Sequence, residues 1–214
     1  MSRNLINLNK VTVDLNKKSP VKLGKKGDYV ELALKHFHVK MLWKTAIDMD
    51  LYAFFKKQDE SRYRELIKSI PVKTPSFFEK AMNYFNGKQI ENINYDSFYN
   101  RYIGKNYIYY QGKGNLNKYP FIQLDKDDGV GDVGGDNEEN MEFSNLNAHK
   151  YILIAVNIFA KPNARFSSYD TRIVLTADKR DFVIPLTSNE QGNWAVMGLI
   201  DNAGELPKLI NYNK

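Results

Sequence analysis

The sequence from Phe37 to Trp43 reads Phe-His-Val-Lys-Met-Leu-Trp, so an apolar residue returns at every second position. Successive side chains of a β-strand point to opposite faces, and a period of two is therefore typical of a strand with one buried face. After Asp48-Met49-Asp50 the chain continues as Leu-Tyr-Ala-Phe-Phe, which is short, apolar and aromatic. A run of this kind favours a central strand.

Short stretches of strand character recur on both sides of this segment. They are separated by Gly, Pro, Asn and Asp and lie at residues 8–15, 29–35, 107–110, 119–124, 151–159, 171–176, 182–186 and 194–200. Many short strands with turn residues between them favour a β-sandwich. We therefore predict a mainly β fold that forms a single domain over residues 1–214.

Residues 57–103 differ from the rest of the chain because their apolar residues recur with helical spacing. Residues 61–70 show this spacing and stop at Pro71. Ser76 and Glu79 then have the spacing of a capping box at the start of a second helix. A segment of about 45 residues makes only a marginal core of its own. We predict a helical insertion at about 57–103 within the sandwich.

Composition excludes several classes of protein. The chain has no cysteine, which excludes disulfide frameworks, thiolate zinc sites and cysteine nucleophiles. No apolar run approaches the roughly 20 residues of a membrane-spanning helix, and residues 1–10 lack the apolar core of a secretory signal. No arrangement of residues typical of a hydrolase is present. These features favour a cytoplasmic protein that is not an enzyme.

Acidic residues are concentrated in one segment. The 214-residue chain has a formal net charge of +6, yet residues 125–142 contain eight acids and one base. The 15 residues from Asp125 to Glu139 include five Asp, four Gly and one Asn. Carboxylates this close repel one another, and calcium, which takes six to eight oxygen ligands, neutralises such a loop. The sequence thus favours a calcium-binding loop, with a solvated acidic loop as the alternative.

The acidic segment does not follow the pattern of an EF-hand. If Asp125 is position 1, position 5 is Gly129 and position 12 is Asp136, whereas an EF-hand requires Asp or Asn and then Glu. A second pair of acids, Asp48 and Asp50, is separated by one residue at the start of an apolar strand, which places both side chains on one face. Such a pair often only stabilises a turn. It would contribute to an ion site if the fold brought it close to the acidic segment.

The order of these features resembles the TerD family of calcium-binding bacterial proteins, which are associated with tellurium resistance and stress. That family has an Asp-x-Asp-Leu-Asp motif, which the stretch from Asp48 to Tyr52 resembles. Its later Gly-Asp-Asn-x-x-Gly-x-Gly-x-Gly-Asp-Asp-Glu motif is similar to residues 126–138. The positions that agree are Asp127, Gly131, Gly135, Asp136 and Glu138, with Asp128 and Asn137 exchanging Asp and Asn. Looser similarity covers residues 8–15, 41–43, 166–175 and 192–194.

The resemblance implies a two-sheet β-sandwich that holds one or two calcium ions between the two acidic segments. The ligands that it implies are Asp48, Asp50, Asp127, Asp128, Asp132, Asp136, Asn137 and Glu138. Tyr52 departs from the family pattern because it stands at the third Asp of the first motif. This departure removes one carboxylate and puts one of the family's ions in doubt.

The implied role is a non-enzymatic calcium-binding protein that works with other proteins of a stress or resistance system, including membrane-associated ones. An alternative is an interaction or structural subunit whose metal site has decayed. Such a subunit would bind partners through the helical insertion or through its basic N-terminal surface, since residues 1–44 carry ten bases and three acids. Nucleic acid is a less favoured partner, because a run of like charge is usually a solvated face.

Overall fold

The computed structural model describes residues 7–13, 19–32, 36–59, 106–125, 137–159 and 163–213. Within these ranges the chain forms β-strands and two short 3-10 helices, at Leu146–Ala148 and Phe166–Tyr169, and contains no α-helix. The strands are β1 (Asn9–Lys10), β2 (Val21–Lys22), β3 (Asp28–Glu31), β4 (Phe37–Trp43), β5 (Met49–Lys57), β6 (Tyr107–Ile108), β7 (Gly114–Asn115), β8 (Ile122–Leu124), β9 (Asn137–Phe143), β10 (His149–Ile158), β11 (Arg172–Ala177), β12 (Arg180–Pro185), β13 (Trp194–Asp201) and β14 (Lys208–Asn211). The predicted mainly β fold is confirmed.

The strands form two mixed sheets of seven strands each. Sheet A has the order β1-β3-β14-β13-β10-β5-β6, and sheet B has the order β2-β12-β11-β4-β9-β8-β7. Most neighbours are antiparallel, but β1 pairs in parallel with β3 and β2 pairs in parallel with β12. The two sheets pack face to face as a sandwich, because one core of buried side chains draws on both of them.

The alternation that predicts β4 is realised in the core. Its four apolar residues at alternate positions, from Phe37 to Trp43, are each at most 2% exposed. In β5, Leu51 and its alternate neighbours join the same core, while Tyr52 and Phe54 belong to a second cluster on the outer face of sheet A. Burying one such side chain stabilises the fold by about 1.5–3 kcal/mol. Strand β5 is thus buried on both faces.

Two sequence predictions need correction at their boundaries. The sequence predicts an acidic loop that runs through Glu138, but β9 begins at Asn137. Glu139, Met141 and Phe143 alternate on the core side of β9, and the high acid content of this segment obscures that period in the sequence. The sequence predicts a helical insertion from about residue 57, and β5 extends through Lys57.

Residues 60–103, which hold the rest of the predicted helical insertion, lie outside the described ranges. The insertion therefore stays a prediction. In the part of the chain that the structure describes, no helix is long and apolar enough to cross a membrane.

A glycine in the β7–β8 hairpin provides a test of this architecture. Gly114 has a φ of 78°, and a Cβ atom there would overlap the carbonyl oxygen of Ile122 and lie 2.7 Å from Cδ1 of Ile108. A left-handed backbone costs a residue with a side chain about 1–2 kcal/mol before any overlap is counted. We expect Gly114→Ala to lower the free energy of unfolding by about 2 kcal/mol or more, as measured by urea denaturation.

The matched control for this substitution is Gly204→Ala. A Cβ atom at Gly204 would meet no atom within 4 Å, so we expect a change within about 0.5 kcal/mol. Equal effects at the two positions would contradict the close packing of the β7–β8 hairpin.

Candidate metal centre

The connection between β4 and β5 positions the first pair of acids. The indole Nε1 of Trp43 donates a buried hydrogen bond of 3.0 Å to the carbonyl oxygen of Ile47, and the Ile47 amide donates to the carbonyl oxygen of Thr45 at 2.8 Å. These bonds fold the connection back on itself directly before Asp48. The Asp48 carbonyl oxygen then accepts a hydrogen bond of 3.0 Å from the Phe159 amide at the end of β10.

Asp50 is a buried acid on the outer face of sheet A. It is 5% exposed, and its neighbours Met49 and Leu51 point into the core between the sheets. In the antiparallel ladder it stands opposite Asn157 of β10, which is 7% exposed and donates from Nδ2 to the carbonyl oxygen of Asn193 at 2.9 Å. Directly opposed residues share a face, so the carboxylate of Asp50 lies beside an amide group. Neither acidic motif of the sequence includes Asn157.

The acidic segment connects two neighbouring strands, β8 and β9. At its start, the Asp125 amide donates to the carbonyl oxygen of Asn140 at 3.0 Å, and Oδ1 of Asp125 accepts from the Asn140 amide at 3.3 Å. The Lys113 ammonium donates to the Asp125 carbonyl oxygen at 3.0 Å. These bonds join Asp125, at the start of the segment, to Asn140, just after its end. Four predicted ligands lie between these ends, outside the described ranges: Asp127, Asp128, Asp132 and Asp136.

Asn137 connects the end of the acidic segment to the first pair of acids. Its Nδ2 donates to the carbonyl oxygen of Trp43 at 3.3 Å and to that of Thr45 at 3.2 Å. Trp43 is the last residue of β4, and Thr45 lies in the β4–β5 connection that leads into Asp48. The acidic segment therefore ends at the same end of the sandwich as the Asp48–Asp50 stretch. Asn137 and Thr45 are 92 residues apart in the chain.

Glu138 lies on the outer face of sheet B. One of its carboxylate oxygens accepts from the Lys40 ammonium at 2.7 Å, and the other accepts from Nδ2 of Asn140 at 3.2 Å. Asp50 points outward from sheet A, on the other side of the sandwich. The structure therefore does not bring the side chain of Glu138 together with that of Asp50.

Glu139 is a buried acid that is not among the ligands predicted from the sequence. It is 1% exposed, and its Oε2 accepts a hydrogen bond of 2.7 Å from the Leu51 amide of the opposite sheet. The period-two pattern of Glu139, Met141 and Phe143 is the signal that could have found it, because it places Glu139 on the core side of β9. This one bond joins the strand after the acidic segment to the strand that carries Asp50.

Tyr52 occupies an aromatic cluster on the outer face of sheet A. Its ring lies 4.7 Å from that of Trp194 in an edge-to-face contact and 5.7 Å from that of Tyr109, and the residue is 4% exposed. Contacts of this kind are worth about 0.5–1.5 kcal/mol each beyond the area that they bury. Tyr52, which stands at the third Asp of the first family motif, therefore packs in this aromatic cluster.

The described residues do not complete a metal site by themselves. Among them, no group of three or more His, Asp or Glu side chains is arranged to hold a metal ion. Asp48 and Asp50 supply two carboxylates, so a calcium ion at this end of the sandwich would take its other oxygens from the acidic segment. No model of a known protein family matches the chain, and no curated protein matches it.

Proposed function

We propose that this protein is a non-enzymatic calcium-binding β-sandwich, in which Asp48, Asp50 and the acidic segment 125–138 hold one or two calcium ions. The observation that supports the proposal is the pair of hydrogen bonds from Asn137 to the end of β4 and to the β4–β5 connection. These bonds place the end of the acidic segment at the end of the sandwich where Asp48 lies.

The chemistry of the segment favours calcium over other ions. Carboxylate, amide and backbone carbonyl oxygens are hard ligands, and calcium accepts six to eight of them in an irregular geometry. Magnesium demands a nearly ideal octahedron and retains its water, so an irregular glycine-rich segment suits it less well. The chain has no thiolate to offer a softer metal.

The resemblance to the TerD family extends this proposal to a role. The protein would act in the cytoplasm as a binding module of a stress or tellurium-resistance system, with other proteins as partners. Bound calcium would neutralise the acidic segment and order it against the Asp48–Asp50 stretch. The single-domain organisation, with a helical insertion between β5 and β6, belongs to the same proposal.

Calorimetric titration of chelator-treated protein with calcium tests the proposal. We expect heat of binding and a rise in melting temperature, because a ligand that binds only the folded state must stabilise it. At a free calcium concentration of 100 times Kd the stabilisation is about 2.7 kcal/mol. Magnesium at the same concentration is the control and should give a much smaller rise. Absence of both heat and stabilisation with calcium would contradict the proposal.

A second candidate function is an interaction or structural subunit with a decayed metal site. Two observations favour it: Tyr52 is packed into the aromatic cluster, and the carboxylate of Glu138 is paired with Lys40. This protein would bind partners through residues 57–103 or through its basic N-terminal surface. It would be preferred if calcium had no effect while deletion of residues 60–103 abolished capture of a partner protein.

A further inference from the structure

The outer faces of the two sheets differ in composition and in burial. On sheet B, the outward residues of β4 are His38, Lys40 and Leu42, and all three are only half-buried. On sheet A, ten outward residues are all aromatic or aliphatic, and each is at most 8% exposed. They are Tyr52, Phe54, Tyr107, Tyr109, Leu153, Ala155, Val196, Leu199, Ile210 and Tyr212. A sheet face that meets water normally carries polar residues, so the outer face of sheet A has the character of a second core and not of a surface.

The described elements do not supply a layer over this face. Every described strand belongs to one of the two sheets, and the two 3-10 helices contribute Leu146 and Phe166 to the core between the sheets. The face extends over the five neighbouring strands β14, β13, β10, β5 and β6, which makes it about 19 Å wide at a strand spacing of about 4.8 Å. The outward positions of β5 from Tyr52 to Lys56 are at most 7% exposed, and they extend over about 14 Å. A covering layer therefore has to span about 14 by 19 Å.

Residues 60–105 begin and end beside this face. Just before them, the Gln58 amide donates to the Ala148 carbonyl oxygen at 2.9 Å, and just after them, the Asn106 carbonyl oxygen accepts from the Phe55 amide at 3.0 Å. Gln58 follows β5 and Asn106 precedes β6, and these two strands are neighbours in sheet A. The segment therefore leaves sheet A and returns to it at the same end of the β5–β6 pair.

The size and chemistry of this segment match the face. The sequence predicts one helix at residues 61–70 and a second that starts near Ser76, and a helix of about ten residues is about 15 Å long and about 10 Å wide. Two such helices side by side would cover about 15 by 20 Å. Phe78, Met82 and Phe85 have the spacing of one helical face. The segment makes only a marginal core of its own, so its apolar residues need a partner as much as the face of sheet A does.

We propose that residues 60–105 pack against the outer face of sheet A, so that the protein has three layers with an apolar core on each side of this sheet. This inference does not depend on calcium binding. It also limits the second candidate function, because a partner protein would contact only the side of the segment that faces away from sheet A.

Photo-crosslinking in the full-length protein tests the proposal. One variant carries p-benzoylphenylalanine in place of Tyr109 and another carries it in place of Leu199, both on the outer face of sheet A. The control carries it in place of Val174, which is half-buried on the outer face of sheet B. Irradiation of a mixture of isotope-labelled and unlabelled chains distinguishes crosslinks within one chain from crosslinks between copies.

We expect the crosslinker at Tyr109 and at Leu199 to attach to peptides from residues 60–105 of the same chain, and the crosslinker at Val174 not to do so. Crosslinks between a labelled and an unlabelled chain would identify a second copy as the occupant and would overturn the proposal. Crosslinks that never reach residues 60–105 would overturn it as well, because the cover would then come from elsewhere.

A pair of substitutions in the segment supplies a second test that leaves sheet A unchanged. Phe78→Ala together with Phe85→Ala should loosen the layer and raise the rate at which N-acetylimidazole acetylates Tyr109 at least about fivefold. Tyr119, which packs against the core between the sheets, should keep its rate and thereby show that the sandwich remains folded. The control Lys80→Ala lies on the opposite side of the predicted helix and should change neither rate. An unchanged rate at Tyr109 in the double variant would contradict the proposal.

Discussion

The Asp50→Asn variant should bind calcium at least about 100-fold more weakly than the parent protein. The substitution keeps the size of the side chain and removes its charge, and the charge of the ligand set is what tunes calcium affinity. Asp50 is 5% exposed, so water cannot easily replace the lost oxygen, and the surrounding low dielectric strengthens each ion–carboxylate contact. Calorimetric titration at constant ionic strength measures the change in Kd.

Substitutions in the acidic segment should also weaken calcium binding. Asp127→Ala and Asp136→Ala should each remove most of the binding, because both match the second motif of the family that the sequence resembles. The control is Glu142→Gln, which neutralises an exposed acid on β9 within the same acid-rich part of the chain. Unchanged affinity in both aspartate variants would refute the assignment of the site. Equal loss in Glu142→Gln would indicate that calcium only screens the overall charge.

The second large effect is a loss of folding stability as the pH falls. His149 at the start of β10 is 1% exposed, and its Nε2 lies 2.6 Å from the Pro120 carbonyl oxygen, so Nε2 carries the proton and donates. Its Nδ1 has no hydrogen-bond partner in the described part of the chain. The rings of Phe55 and Tyr119 lie 5.3 and 5.7 Å away. Burial lowers the pKa of His149 from 6.5 to about 4.

The lowered pKa of His149 determines how the free energy of unfolding depends on pH. The unfolded chain takes up a proton at His149 as the pH falls below about 6.5, whereas the folded protein resists protonation until about pH 4. Stability is therefore present above pH 6.5 and is lost as the pH falls through this range. From the pKa difference we expect a loss of about 2 kcal/mol between pH 7 and 5 and about 3 kcal/mol by pH 4. Urea denaturation at each pH measures it.

Two histidine variants isolate the contribution of His149. His149→Gln can still donate to the Pro120 carbonyl oxygen, and its stability should change much less between pH 7 and 5, though it starts lower because a ring is lost from the core. His38→Gln, on the outer face of sheet B, should keep the acid sensitivity of the parent protein. If His149→Gln lost as much stability as the parent between pH 7 and 5, the acid sensitivity would have to come from other groups.

The strands follow more directly from the sequence than the contacts around the acidic segment do. Phe37 to Trp43 alternate strictly, and one buried face is enough to impose that period on the residues themselves. The faces that the acids of 137–142 occupy do not follow from their residue type, because Glu138 and Glu139 have the same chemistry and point to opposite faces of β9. A shift of one residue in a strand reverses the face of every side chain. Glu138 consequently pairs with Lys40 at the surface, while Glu139 reaches the core.

Period, composition and turn residues are properties of residues that are near one another in the chain. These local properties determine the mainly β architecture, the apolar strand β5 and the concentration of acids after β8. The contacts at the candidate site are not local. Glu139 and Leu51 are 88 residues apart in the chain, and Asn137 and Thr45 are 92 apart. Such pairs form because two sheets bury a common core and align particular residues across it. The packing of the sheets therefore selects Glu139, and not its neighbour, to join the acidic segment to the strand of Asp50.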